Sequence, residues 1–226
     1  MISKQSNGAR LVSNIKSAIS ANLLPGLCLQ LFALTIGLSY FYWPASQQTF
    51  QFFADLKAEY GGMYAVISTS IFGGLLPFIY MFLSGKIRFL PFTQLLFYII
   101  IWAALGGLIN AFYGFQIVLF GEATDWLTIL KKTAFDQFVF SVFVTSPFIA
   151  LAFLWKDQQF NWHKTKMQFD DLIKLQIPTT VVTTWIIWIP AVSLIYMMPT
   201  NLQIPLFNLV LCFFVLILAI LNVDDK

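Results

Sequence analysis

The chain has 226 residues, 59% of them hydrophobic and only 10% charged, with a mean hydropathy of +0.78. Soluble domains carry about a quarter charged residues, so a water-soluble globular fold is excluded. The net charge of +3 is small and its basic residues are scattered through short connectors, which gives nucleic-acid binding no support. An all-α, polytopic transmembrane helix bundle is the class that remains.

Residues 1–22 carry Lys4, Arg10 and Lys16 and no acid. Leu11, Ile15, Ala18 and Ile19 recur at helical spacing, which predicts an amphipathic interfacial helix. An organelle transit peptide has the same composition and is the less favoured reading. Residues 23–226 then form one domain of six spans. The first, 23–43, is long enough to cross ~30 Å of hydrocarbon and closes on Tyr40, Phe41, Tyr42 and Trp43, an interfacial aromatic cluster. It is expected to be retained rather than cleaved. Residues 44–62 predict a short surface helix.

Span two, 63–83, contains Gly73, Gly74 and Pro77; the proline should free the Gly73 carbonyl. Span three, 92–120, exceeds one vertical crossing. Within it Ala103, Gly107 and Ala111 form a row of small residues beside Gly106, Asn110 and Gly114, a spacing that lets a neighbouring helix approach closely. Asn110 is expected to hydrogen-bond across that contact. Span four begins near Ala134 and carries Pro147, which should free the Phe143 carbonyl. A connector over 156–178 mixes four lysines with Trp162, Met167, Phe169 and Leu172. Span five, 179–198, holds Thr179 and Thr183 on one helical row, Thr180 and Thr184 on the next, then Trp185, Trp188 and Pro190. Span six, 204–221, is apolar apart from Asn208. With the N-terminus inside, ten of the 13 basic residues lie on inner segments, so both termini are expected to be cytoplasmic.

The most unusual local chemistry is Asp136-Gln137 at the mouth of span four, where an ionisable group is costly unless a partner or a wet cavity receives it. One reading makes Asp136 and Lys132 an i,i+4 anchor pair worth a few tenths of a kcal/mol. The other places Asp136 and Gln137 in a polar vestibule that filters solutes. The threonines of span five either back-bond to carbonyls one turn earlier or line the same pathway. Cys28 and Cys212 sit in apolar runs and His163 stands alone in a connector, so no metal site, cofactor or enzymatic activity is expected.

The C-terminal half, about 102–221, resembles the Mpv-seventeen / peroxisomal membrane protein of twenty-two kilodaltons family. A family pattern of Gly-Pro, two residues, His, one residue, Trp-Tyr is matched in spacing by Gly106, Gly107, Asn110, Phe112 and Tyr113, with proline, histidine and tryptophan replaced. The family's Lys, three residues, Asp-Gln stands intact as Lys132, Asp136 and Gln137. Its C-terminal pattern is echoed loosely by Trp188, Pro190, Tyr196 and Pro199, with Gln203 where the family has arginine. The resemblance implies a channel or metabolite-homeostasis role, and two extra leading spans imply a bacterial inner membrane rather than an organelle. The candidate polar site is therefore Asp136, Gln137, Lys132, Asn110, Tyr113, Thr180, Thr184, Trp185 and Trp188. The expected function is a weakly selective pathway for small polar solutes, the alternative a scaffold or assembly factor. Expected partners are the lipid bilayer, a small polar solute and further copies of the chain in a homo-oligomer.

Overall fold

The computed structural model describes residues 7–221, and every regular element among them is helical. Six helices are long and apolar enough to cross a bilayer: Asn7–Tyr42, Pro44–Leu83, Pro91–Phe120, Trp126–Asp157, Phe169–Tyr196 and Thr200–Leu218. They are spans one to six of a multi-pass membrane protein.

Span one runs without a break through the expected junction at residues 22 and 23. Leu11, Ile15, Ala18 and Ile19 are half-buried in its first turns, as is Arg10, and the stripe continues through Pro25, Gly26, Leu29, Ala33 and Gly37. The amphipathic row therefore faces the bundle, chiefly span five. Residues 1–6 of the predicted interfacial segment lie outside the described residues. In the second span, Gln47–Tyr60 forms the expected connector helix. It is set off from the membrane helix by Gly61, whose φ of 52° and ψ of −121° break the helical path; a side chain there would be strained. Asp125 caps span four, accepting from the amides of Leu127 (3.1 Å) and Thr128 (3.2 Å) and from the Thr128 hydroxyl (2.6 Å). These bonds, the Thr128 hydroxyl first, hold its carboxyl below the usual carboxylate range.

Three helices share one distortion. A proline lacks the N–H that would bond the carbonyl four residues back, and its ring crowds that carbonyl. Ahead of Pro77, Pro147 and Pro178 the preceding turns widen to π geometry over Ser70–Leu75, Asp136–Thr145 and Leu172–Gln176. In each case the residue just before the proline donates five positions back: Leu76 to Ile71, Ser146 to Ser141, Ile177 to Leu172. The predicted disruptions at Pro77 and Pro147 are present. The third widened segment precedes Pro178, not Pro190, and Pro178 lies inside span five rather than ending a connector. At Pro190 the α-helix continues, and Gln30 of span one donates to the Ile187 carbonyl at 2.6 Å.

Spans two and three run antiparallel and touch backbone to backbone at two points. A Cβ on Gly106 would stand 2.5 Å from the Ala65 carbonyl oxygen, and one on Gly74 2.8 Å from that of Tyr98. Of the two predicted rows, the close contact falls on Gly106 alone: Gly107 has only ordinary contact with Val66, and Ala111 and Gly114 are exposed. Asn110 lies half-buried beside Gly62 and makes no side-chain hydrogen bond among the described residues. The polar contact across the helices comes instead from Asn208. Fully buried on span six, it donates to Ser68 and accepts from Thr69, both at 2.7 Å. Both side-chain groups are satisfied, as burial in an apolar medium requires. Span six packs against spans one, two and five, while spans three and four meet through aromatic pairs such as Phe112–Phe140 and Tyr98–Phe153.

Candidate functional site

A cavity of about 410 Å³ lies among spans three, four, five and six, with Ala18 and Asn22 of span one also lining it. It reaches from the level of Asp136 and Tyr113 down to that of Thr179 and Asn22. Its two walls differ in chemistry because they come from different sequence patterns. Spans four and five contribute Asp136, Gln137, Ser141, Thr145, Ser146 and the four threonines; spans three and six contribute Trp102, Ile109, Phe207, Leu211 and Phe214. The wide π turns keep Asp136, Gln137, Phe140, Ser141 and Thr145 on the cavity side through ten residues.

Asp136 is 7% exposed. The Tyr196 hydroxyl donates to its Oδ2 at 2.5 Å and Gln137 Nε2 to its Oδ1 at 2.9 Å. The Tyr196 ring lies 5.2 Å from that of Tyr113. Gln116, also buried, donates to the Lys132 carbonyl at 3.3 Å behind this group. Three buried polar atoms on the cavity wall have no partner: Gln137 Oε1, Thr179 Oγ1 and Trp102 Nε1.

Of the residues predicted from sequence, Asp136, Gln137, Tyr113, Thr180, Thr184 and Trp188 line this one cavity. Lys132 is buried but does not line it, and the anticipated Lys132–Asp136 ion pair does not form, because Asp136 turns inward to Tyr196. Asn110 faces span two instead. Trp185 stands behind the wall, donating from Nε1 to the Gln137 carbonyl at 2.7 Å and packing edge-on to Phe138, so it satisfies a backbone group of the widened segment. Among the threonines, Thr183 back-bonds to the Thr179 carbonyl at 2.9 Å and still lines the cavity. Sequence reasoning missed Tyr196, Ser141, Ser146 and Trp102 as members of the site. Trp102, Leu105, Ile109, Tyr113 and Gln116 recur every three or four residues along span three, and that stripe was a readable signal.

Compared with protein-family models, curated proteins and solved structures, the chain matches none.

Proposed function

We propose that this membrane protein provides a weakly selective pathway for small solutes through the cavity between spans three, four, five and six. The observation that carries the reading is that six separately predicted polar or aromatic residues converge on one cavity with a buried carboxylate at one end. A volume of 410 Å³ falls within the range of small-molecule sites, about 300–1,000 Å³. Irregular backbone at membrane depth is tolerated where it is buried in protein or lines a cavity, and the π segment of span four does the latter. The resemblance of Lys132, Asp136 and Gln137 to the Mpv-seventeen family agrees with this reading, and a bacterial inner membrane is proposed as its location.

The test is flux of solutes graded by size and charge into liposomes holding the purified protein. Flux above empty liposomes is expected, with its charge preference altered by Asp136→Asn, which removes a charge and keeps the acceptor for Tyr196. Absence of flux for every solute would favour a scaffold, whose mark is a partner co-purifying in fixed stoichiometry.

A further inference from the structure

The charge at the end of the cavity identifies what kind of solute fits there. Asp136 is buried at one end of the cavity, and its two hydrogen-bond donors, Tyr196 and Gln137, are both neutral. The ion pairs among the described residues, Arg10–Asp171, Lys156–Asp157 and Lys174–Asp170, all lie at the opposite end of the bundle. A carboxylate has about four lone-pair sites, so two remain for a further donor. Beside it Gln137 Oε1, on a side chain only 2% exposed, is a second acceptor without a partner. Tyr113, against the Tyr196 ring, and Phe140, one turn from Asp136, line the cavity near these acceptors, and Trp102, Trp188 and Phe207 add aromatic rings elsewhere along its wall. Aromatic faces attract cations most strongly where water is excluded, and a carboxylate in low dielectric attracts them more strongly still. An anion meets repulsion at the same place. A neutral polar solute leaves the carboxylate uncompensated.

We infer that the cavity takes an organic cation: an ammonium group seated between Asp136 and Gln137 Oε1, with an apolar, aromatic body lying against spans three and six. This rests on the cavity being a solute site and names the class of solute. An ammonium brings donors and no acceptor, which matches Asp136 and Gln137 Oε1, and the unpartnered Trp102 Nε1 is a donor available to a polar substituent on the body. The polar wall of spans four and five, with Ser141, Ser146, Thr180 and Thr184, provides the route by which a charged head travels the length of the cavity.

Three probes sharing one body and differing only in head charge decide the matter: 2-phenylethylammonium, 2-phenylethanol and phenylacetate, titrated calorimetrically at neutral pH into the full chain in an uncharged detergent. The cation is expected to bind at least about tenfold more tightly than the alcohol, and phenylacetate most weakly, because only the cation gains the desolvated charge contact. Asp136→Asn should remove the cation's advantage and leave the alcohol's affinity nearly unchanged, while Ile149→Trp, which fills the cavity, should weaken all three. Equal binding of cation and alcohol, stronger binding of phenylacetate, or a preference that survives Asp136→Asn overturns the cation assignment and leaves the cavity as a site for neutral solutes. Failure of all three probes to bind overturns the assignment, and flux in liposomes then decides separately whether the pathway stands. The charge series on the unaltered protein remains decisive even if Asp136→Asn does not fold.

Discussion

Asp136 keeps both oxygens engaged, so its partner Tyr196 contributes to stability as well as to the shape of the cavity end. A buried hydrogen bond to a charged group is worth about 1.5–3 kcal/mol, so Tyr196→Phe should lower unfolding stability in detergent by that order. In an Asp136→Asn background the same change should cost clearly less, since the acceptor no longer carries charge. Equal costs in both backgrounds would show that the bond contributes nothing beyond packing of the ring. Sequence made Asp136 conspicuous, because a carboxylate beside an apolar run of this length demands an explanation. It offered no way to choose Tyr196 over Lys132 as the partner. Four residues along a helix is a local relation, whereas Tyr196 lies 60 positions away and meets Asp136 only through the packing of spans four and five. Asn208 was similarly visible as the lone polar residue of span six, yet its partners Ser68 and Thr69 are set by the crossing of span two. Asn208→Leu strands the Thr69 hydroxyl, while Ser68 keeps its bond to the Tyr64 carbonyl, and is expected to cost about 1–3 kcal/mol in the same unfolding assay.

At the scale of the helices, the small residues of span three show what spacing conveys. A close approach was legible; which glycine makes it was not, since Gly106 and Gly107 differ only by a rotation of the helix. Gly106→Ala would drive a methyl into the Ala65 carbonyl, where neither backbone can yield cheaply, and should destabilise by about 1–3 kcal/mol or more. Gly107→Ala has room and gains helix propensity, so its melting temperature should be unchanged or higher. The reverse order would mean that spans two and three cross elsewhere. The prolines were read correctly as sites of disruption at Pro77 and Pro147, but sequence does not say whether a helix bends, widens its turns or, as at Pro190, continues. In span four the widening is what sets Asp136 and Gln137 on the cavity side. Pro147→Ala restores the missing N–H and allows the turns to tighten, so binding and flux should fall in a protein that still melts cooperatively. A fully active Pro147→Ala would show that the π segment is incidental.

For the molecule as a whole, six spans were countable from hydropathy because each crossing needs about 20 apolar residues. The cavity was not, because it arises from how spans three, four, five and six pack together, a relation between segments far apart in the chain. The basic bias predicts the orientation, with the end of the bundle that carries Arg10, Lys16, Lys86, Arg88 and the lysines between spans four and five on the cytoplasmic side. In a chain lacking Cys28 and Cys212, Ala123→Cys should react with an impermeant thiol reagent on intact cells, and His163→Cys only after lysis. The opposite pattern inverts the topology. The claim on which the functional account turns is that solute passes through the cavity, and plugging it tests this most directly. Flux of 2-phenylethylammonium into liposomes should be abolished by Thr184→Trp, which fills the cavity from span five, and be unaffected by Thr35→Trp on the exposed face of span one. Equal flux in both variants would contradict it, as would the absence of flux above empty liposomes for every solute of the graded series in the unaltered protein.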